Sequence, residues 1–471
     1  MKRIALGLAA ALVLAAPAKS EPPVGGEQPL LRDLAADVSA ERLQATDTHL
    51  VGFGTRQTLS DTTSDVRGIG AARRWVASEF TAIGRACGGC LEIQTPAQTF
   101  TGARIPTPAV VMDVLAIQRG TTDPGRVVII SGHIDSRVSD ALDAKTDAPG
   151  ANDDGSGTSA VIEAARVLSR HKFPATIVYA VLSGEEQGLF GGRVLADYAV
   201  AQGWRVEADL NNDIIGNIQG MGGEIDNTHV RVFSEGARTN ETPEQARARQ
   251  GAGQELDSPS RNLARFMQTL DDRYLADLQV RLMYRPDRFR RGGDQMEMLK
   301  QGFPAVRVTE AAENYTRQHQ NVRVENGVHY GDVLEGVDFP YLAKVTRLNV
   351  ITLAALASAP TPPSQVDLQG AVSADTVVKW SPVPGAAAYR VWWRDTTEPQ
   401  WRYSRLVAGP GEAKLAGVNI DDWFFGVSSV AADGFESPVA AIGASGSFDR
   451  LAPTTPPAPY AVSPAPPKPN K

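Results

Sequence analysis

Cysteine is nearly absent from this chain: its 471 residues include only two, Cys87 and Cys90, in the sequence CGGC. A structural zinc site takes about four ligands, so these two thiols alone do not make one. In an oxidising compartment, two cysteines this close in sequence are typical of a local disulfide, with free thiols as the alternative. We therefore expect a disulfide between Cys87 and Cys90.

The chain also lacks an excess of basic charge and, after its N-terminus, a long apolar run. Its 47 Lys and Arg residues stand against 54 Asp and Glu residues, which gives a net charge of −7. Nucleic-acid-binding domains usually present a basic surface, and a membrane-spanning helix needs about 20 apolar residues. We therefore expect neither a nucleic-acid partner nor a membrane span.

The first residues, MKRIALGLAAALVLAAPAKS, have the pattern of a secretory signal peptide. Lys2 and Arg3 precede an apolar run, and Ala16-Pro17-Ala18 supplies the small residues of a cleavage site. The apolar run is shorter than that of a membrane anchor. The sequence predicts a signal peptide over residues 1–18 and a mature protein that is periplasmic or secreted.

The remaining chain is too long for one ordinary core, and two or three domains are expected. Over residues 21–358, strand-like segments alternate with helical ones, and the strand candidates are almost continuously apolar. This pattern predicts an α/β domain with a mostly parallel central sheet and helices on both faces. The polar segment 219–262 is interpreted as a surface insertion. Strands are expected at 109–118, 126–131, 175–183, 207–215 and 305–310, and helices at 66–84, 156–170, 193–203 and 339–357.

The composition changes after a Pro-rich segment at residues 359–364, which is typical of a linker. Short alternating strands with clustered aromatic residues predict an all-β sandwich over 365–447. Trp380, Tyr389 and the segment AADGFES resemble the core aromatics and the last hairpin of a fibronectin type III domain. Residues 448–471 are rich in proline and predict an extended or disordered tail.

Acidic residues cluster in four segments at the ends of predicted strands. Groups at the carboxyl ends of strands in an open α/β sheet converge on one crevice. So many carboxylates in one place are costly unless cations bind them, and His with Asp or Glu is a ligand set for zinc. The sequence therefore predicts a divalent metal centre. The segments are SGHIDS (131–136), PGANDDGSG (149–157), LSGEEQGLFGG (182–192) and NNDIIGN (211–217).

Two residue pairs within these segments suggest separate roles. His133 and Asp135 are two residues apart on a predicted strand and face the same way, so the Asp135 carboxylate can orient the His133 ring toward a metal. Glu185 and Glu186 are adjacent, so their side chains diverge. One can bind metal while the other moves protons, a division that metal-assisted hydrolysis requires.

In this order and spacing, the motifs GHIDS, PGANDDGSG, SGEEQGLFG and NDIIGN resemble those of the secreted dizinc aminopeptidases of the bacterial leucyl-aminopeptidase type. That group also includes glutamate carboxypeptidases, and the resemblance covers residues 50–350. It implies the phosphorylase/hydrolase-like α/β fold of zinc exopeptidases, peptide substrates, Glu185 as general base and Asp135 behind a metal-binding histidine. It also implies two Zn2+ ions, one held by His133 and Asp213, the other by Glu186, and both by Asp153.

The resemblance requires one more histidine on the second ion, and the sequence offers two. His319, in ENYTRQHQNV, follows Tyr315, and the family commonly places this ligand shortly after a tyrosine. His329, in NGVHYGD, is the alternative. Tyr315 could donate a hydrogen bond to the oxyanion of the reaction. In GGDQMEML, relatives often have a histidine after the aspartate, so Asp294 has no assigned role.

The resemblance leaves open which end of a peptide is cleaved. An aminopeptidase that removes N-terminal residues is expected, and a carboxypeptidase or dipeptidase on the same scaffold is the alternative. In that alternative, Arg288, Arg290 and Arg291 are candidates for binding a substrate carboxylate. Glutaminyl cyclases, which are also related, use a single zinc ion. A non-catalytic protein that binds through its sandwich domain is the rival from another class, and the intact pair of adjacent glutamates argues against it.

Overall fold

The computed structural model describes residues 26–409 and 411–451. The predicted signal peptide and all but the first residues of the predicted Pro-rich tail lie outside the described residues. Helices and long strands extend as far as Ser358, and short antiparallel strands begin at Asp367. This arrangement confirms the predicted fold class, a mixed α/β part followed by a separate β part.

An eight-stranded sheet organises the α/β part. The twelve strands of this part are β1 Leu91–Gln94, β2 Ala97–Gly102, β3 Ile105–Met112, β4 Val114–Gln118, β5 Asp123–His133, β6 Ala175–Leu182, β7 Arg205–Asn212, β8 His229–Phe233, β9 Gln279–Met283, β10 Ala305–Glu310, β11 Arg323–Glu325 and β12 Val328–Tyr330. The order in the sheet is β1-β4-β6-β5-β7-β10-β8-β9. Its centre, β6-β5-β7-β10, is parallel, and β4 and β8 join it antiparallel.

Helices cover both faces of this sheet, because the residues of its central strands alternate between two apolar cores. Val128 and Ile130 belong to the core formed with α1–α4, α8 and α10, whereas Val127 and Ile129 belong to the core formed with α6 and α9. None of the described helices is long and apolar enough to cross a membrane. The helices are α1 Pro29–Ala36, α2 Ala40–Val51, α3 Gly68–Ala86, α4 Gly157–Leu168, α5 Glu185–Gly188, α6 Phe190–Ala201, α7 Pro243–Gly251, α8 Pro259–Tyr274, α9 Gln295–Lys300, α10 Phe339–Ser358 and α11 Gly443–Gly446.

Two of the sequence predictions for this part are wrong. The segment 219–262 is not only a surface insertion, because it contains β8, which lies within the sheet between β10 and β9. Only Val230, Val232 and Phe233 of this short strand are buried. Polar residues surround them, so the alternation of apolar and polar residues is too short to predict a strand. The predicted strand 109–118 is two strands: β3 pairs with β2 in a separate hairpin, and β4 joins the central sheet.

The predicted disulfide is present between Cys87 and Cys90. Cys87 directly follows the last residue of α3, and Cys90 directly precedes β1. The disulfide therefore closes the turn between the helix and the edge strand of the sheet.

In the described residues after the α/β part, seven strands form two antiparallel sheets, β13-β14-β17 and β16-β15-β18-β19. Both sheets contribute to one apolar core, in which Trp380 and Tyr389 are buried as predicted. Residues 359–364 join this part to α10 without a helix or strand. The resemblance to a fibronectin type III domain stays a prediction. The strands are β13 Asp367–Gln369, β14 Thr376–Lys379, β15 Ala388–Asp395, β16 Tyr403–Val407, β17 Glu412–Leu415, β18 Trp423–Val430 and β19 Ala440–Ala441.

Buried ion pairs fix these sheets, hereafter the sandwich, to the α/β part. Asp257, just before α8, accepts hydrogen bonds at 2.7 and 3.0 Å from Arg394 of β15 and at 2.6 Å from Arg265 of α8. All three side chains are at most 1% exposed. Burial alone would raise the pKa of Asp257, but the two guanidinium groups outweigh it, and the pKa is lowered. The carboxylate is therefore stable in this interface only while its cations are present.

We expect Arg394→Ala to lower the free energy of unfolding by about 3–5 kcal/mol, because it leaves a buried carboxylate short of one partner. The measurement is urea unfolding followed by tryptophan fluorescence. Arg402→Ala is the matched control, since Arg402 pairs with Glu398 at 3.1 Å on the exposed surface of the same sandwich. Its cost should be about 0–1 kcal/mol. Equal losses in the two variants would contradict the role assigned to Arg394.

Candidate metal centre

The carboxyl ends of three parallel strands bring the predicted metal ligands together. His133 is the last residue of β5, Glu186 belongs to α5 directly behind β6, and Asp213 follows the last residue of β7. Asp153 lies in the turn formed by residues Ala151–Ser156, where its own backbone is not helical (φ −109°, ψ 88°), and this turn leads into α4. Because β5, β6 and β7 are neighbours in the sheet, these side chains meet at one edge of it.

The side chains form two groups that share Asp153. In the first group, His133 Nε2 lies 3.3 Å from Asp153 Oδ1 and 3.8 Å from Asp213 Oδ1. In the second group, His319 Nε2 lies 3.0 Å from both Asp153 Oδ2 and Glu186 Oε1. Within each group, one potential ligand atom from every member lies within 4.8 Å of the others. Asp153 thus offers one oxygen to each group.

The donor atoms of both groups fit divalent cations. His133 Nε2 and Glu186 Oε1 are buried, and neither makes a hydrogen bond. The other potential metal ligands of each group nevertheless lie close to them, with Asp153 Oδ1 3.3 Å from His133 Nε2 and His319 Nε2 3.0 Å from Glu186 Oε1. Buried polar atoms are rarely left in this state unless an ion or water completes them. Imidazole nitrogens and carboxylate oxygens are ligands that zinc prefers. Two cations, one in each group, would satisfy these atoms.

Asp135 lies behind the two groups and supports them, but not through the contact predicted from the sequence. Its carboxylate was expected to accept a hydrogen bond from the His133 ring, and this prediction is wrong. The ring Nδ1 lies 3.0 Å from the main-chain carbonyl oxygen of Asp135 and 3.6 Å from its carboxylate. The carboxylate instead accepts from Thr58 Oγ1 at 2.8 Å and from the amides of Glu185 and Glu186 at 3.3 and 3.2 Å.

The physical reason lies in the start of α5, whose first amides need acceptors. Gly184, with φ of +74°, turns the chain from β6 into this short helix. The Asp135 carboxylate caps the helix and so fixes both glutamates, while its carbonyl oxygen orients the His133 ring. Burial works to raise the pKa of Asp135, but His133 and the hydrogen bond from Thr58 outweigh it, and the pKa is lowered.

Asp332 positions the shared aspartate, and the sequence did not reveal this residue. Its carboxylate accepts hydrogen bonds from the amides of Asn152 and Asp153, at 2.9 and 2.6 Å. Glu310, at the end of β10, accepts from the Asn152 side chain at 2.8 Å. Burial raises the pKa of Asp332 to about 7. Asp332 is about 180 residues from Asp153, so only the fold could show this contact.

The structure separates the two candidate histidines. His319 lies in the second group, is 30% exposed and has φ of +54°. His329 lies on the exposed strand β12, paired with Val324 in a two-stranded hairpin.

Tyr315 is 55% exposed and is not among the described residues that line the cavity at the centre. Asp294 is buried and accepts a hydrogen bond from the amide of Gly192 at 2.8 Å, and burial raises its pKa.

Glu185 faces a cavity of about 290 Å³ that opens onto both groups. Burial raises the pKa of Glu185 to about 8, as do the nearby Asp213 and Glu186, while His133 opposes them. Arginine side chains also line the cavity. Its described lining comprises Asp153, Glu185, Glu186, Asp213 and His319 with Arg104, Arg288, Arg290, Arg291, Gly188, Leu189 and Gly292.

A second residue that sequence reasoning missed is Arg307, on β10. It is fully buried, and its Nη1 lies 2.5 Å from Asp213 Oδ2. Burial alone would raise the pKa of Asp213, but Arg307 and His133 outweigh it and hold the pKa well below its usual range. The strand AVRVTE is apolar apart from this arginine and its last two residues, and a charged residue inside a buried strand was the available signal.

Comparisons with known proteins agree with this geometry. The model of peptidase family M28 matches residues 113–324, which contain every member of the two groups. A probable zinc metalloprotease of Pyrenophora teres f. teres is 42% identical over 415 residues, which cover 87% of this chain and 86% of the relative. Another, from Pyricularia oryzae, is 40% identical over 418 residues, covering 87% of this chain and 83% of the relative.

A solved structure shares the fold. The LapA aminopeptidase of Legionella pneumophila aligns with a TM-score of 0.50 at 18% identity, over 74% of this chain and 78% of that one. Because the family match contains both groups and the relatives align over most of their length, the chain belongs to peptidase family M28 and is a zinc metallopeptidase.

Proposed function

We propose that this metallopeptidase is a dizinc exopeptidase that removes N-terminal residues from peptides. The observation that carries the proposal is the shared aspartate: Asp153 presents one carboxylate oxygen to each of two groups, and each group ends in a histidine and a second carboxylate. A centre for a single ion would not need this duplication. His133, Asp153 and Asp213 would hold one zinc ion, and Asp153, Glu186 and His319 the other.

Zinc in such a centre polarises a carbonyl group and lowers the pKa of a water molecule. Glu185 supplies the proton transfer, because it lines the cavity and belongs to neither group, whereas its neighbour Glu186 faces His319. As general base, Glu185 takes a proton from the attacking water and then passes it to the leaving amine. The Asp135 carboxylate, which accepts hydrogen bonds from the main-chain amides of both glutamates, keeps them in these separate orientations.

We expect Glu185→Gln to lower kcat by about 10²-fold to 10⁴-fold while both metal ions stay bound, because the amide cannot accept the proton. Stopped-flow turnover and zinc content by atomic absorption are measured on the same preparation. Glu335→Gln, on the exposed surface, is the matched control and should keep full activity. Undiminished turnover of Glu185→Gln would remove the assignment of the base.

We expect His319→Ala to retain about one zinc ion per chain, because the second group loses its only nitrogen ligand. His329→Ala should retain two ions and its activity, since His329 lies on an exposed hairpin. Zinc is counted after dialysis against a weak chelator. Loss of an ion in His329→Ala but not in His319→Ala would reverse the assignment.

Two features of the cavity bear on which end of the peptide is bound. Its carboxylates, among them Glu185 and Glu186, favour the positive charge of a free α-amino group, as in an aminopeptidase. Its arginines favour a substrate carboxylate, as in a carboxypeptidase or dipeptidase, which is the second candidate function. Arg288 and Arg291 lie 3.5 and 2.9 Å from Glu313, so part of their charge is already matched.

Arg104 and Arg290 are the two cations most available to a substrate. Both are exposed at the cavity, and neither forms an ion pair with a carboxylate in the described part of the chain. Arg104 donates a hydrogen bond at 2.7 Å only to the main-chain oxygen of Glu186, directly beside the second group. A carboxylate of the substrate could be bound there without breaking an existing ion pair.

Activity toward aminoacyl arylamides, dipeptides with a free C-terminus and the same dipeptides with an amidated C-terminus separates the two candidates. An aminopeptidase should cleave all three, whereas a carboxylate-dependent enzyme should cleave only the free dipeptide. If the enzyme depends on a substrate carboxylate, we expect Arg290→Ala and Arg104→Ala each to raise KM by about 10-fold with little change in kcat, because each variant loses one charged hydrogen bond to the substrate. Arg405→Ala, on the sandwich, is the control.

The leader sequence supports export of the mature enzyme to the periplasm or the medium, which fits a disulfide between Cys87 and Cys90. We also propose that the sandwich is an integral part of the enzyme, since the buried ion pair of Arg394 with Asp257 fixes it to the α/β part. Its resemblance to a fibronectin type III domain is part of the same proposal. N-terminal sequencing of the protein recovered from the medium or periplasm tests the cleavage site.

A further inference from the structure

A buried arginine occupies one of the two oxygens of Asp213. Arg307 Nη1 lies 2.5 Å from Asp213 Oδ2, and Nη2 donates to the Asp213 carbonyl oxygen at 3.4 Å. The other carboxylate oxygen, Oδ1, is the one that faces His133. The two oxygens therefore have separate partners, a guanidinium group on one side and the first metal group on the other.

This pairing changes the charge that the first group offers to a cation. An aspartate that ligates with both oxygens presents its full negative charge, whereas Asp213 shares its charge with Arg307 at hydrogen-bond distance. Both side chains are at most 5% exposed, so water does little to screen the pair. The remaining charged oxygens of the first group come from Asp153, which the second group shares.

The second group has no equivalent pair of the same strength. Arg137 Nε lies 3.3 Å from Glu186 Oε2, against 2.5 Å between Arg307 and Asp213, and this Nε has no hydrogen-bond partner. Arg137 is also 13% exposed, against 0% for Arg307. The counter-charge behind the terminal carboxylate is thus strong in the first group and weak in the second.

The other contacts of Arg307 do not by themselves explain why a charged side chain is buried at this position. It donates to the Gly292 carbonyl oxygen at 3.1 Å and lies 3.7 Å from Asp287, yet its Nε is buried without a hydrogen-bond partner. A buried charge is costly unless it is matched, and the matching carboxylate here is Asp213. Asp213 in turn lies beside Asp153, whose negative charge repels it in the absence of a cation.

We propose that Arg307 is a positioning residue that restricts Asp213 to one-oxygen ligation and weakens zinc binding in the first group. The same guanidinium charge stabilises the cluster of carboxylates before metal is bound. A less completely neutralised zinc ion is a stronger Lewis acid, so the pairing exchanges affinity for reactivity at the first site. The inference rests on the proposed dizinc centre.

The test compares two variants that separate charge from packing. Arg307→Gln removes the positive charge but keeps an N–H donor that can reach the Asp213 carbonyl oxygen, whereas Arg307→Lys keeps the charge. Zn2+ is titrated into the metal-free full-length protein in competition with a chromophoric chelator, which resolves the affinity of each site. Asp213→Asn identifies which of the two binding steps belongs to the first group.

We expect Arg307→Gln to bind the first-group ion about 10-fold to 100-fold more tightly than the wild type, and Arg307→Lys to stay within a small factor of it. Thermal unfolding should show a lower Tm for metal-free Arg307→Gln and a larger rise in Tm on adding zinc. Unchanged or weaker affinity in Arg307→Gln overturns the inference, as does equal tightening in Arg307→Lys.

Folding of the variant counts as a result. If Arg307→Gln folds only with zinc present, the inference is supported, because the ion replaces the lost positive charge. If it fails to fold even with zinc, the arginine serves packing and the inference is wrong. Wild-type stoichiometry keeps the two proposals apart: fewer than two zinc ions in the wild type contradicts the dizinc centre, whereas two ions with unaltered affinity in Arg307→Gln contradicts only the role of Arg307.

Discussion

The structure depends on carboxylates that the parallel sheet forces together. Asp153, Glu186 and Asp213 come from separate segments of the chain that follow β5, β6 and β7. Asp213 lies within ion-pair distance of His133, Glu186 within that of His319, and Asp153 within that of both histidines. Like charges this close and this buried repel strongly unless cations or arginines lie among them. Cations in the two groups would therefore stabilise this edge of the sheet, and under the proposed function they would also be where the chemistry takes place.

Other acidic residues hold this centre in place without facing the metal groups. Asp135 caps α5 and so orients both glutamates, and Asp332 holds the amides of the turn that carries Asp153. Each uses a carboxylate to satisfy main-chain N–H groups that would otherwise be buried without partners. The ligands are thereby positioned by the backbone, which is more rigid than a network of side chains alone.

Arginine plays three different parts in this chain. Arg307 pairs with the buried carboxylate of Asp213, Arg104 and Arg290 place positive charge at the cavity that the proposed function assigns to the substrate, and Arg394 joins the sandwich to the α/β part. The environment makes the difference: two of these roles require full burial beside a carboxylate, and the third requires exposure. The same side chain thus serves charge balance, recognition and assembly according to where the fold places it.

The sequence by itself determined the α/β class, the local disulfide and four of the five residues of the two groups, because apolar strands, acidic strand ends and short motifs are local patterns. It did not determine β8, whose few buried residues are hidden among polar ones, or the choice between His319 and His329. It also assigned the wrong atom of Asp135 to the His133 ring. Asp332 and Arg307 act across about 180 and 94 residues of sequence, respectively. Contacts over such separations are decided by how strands and loops pack in three dimensions, so only the tertiary structure could reveal them.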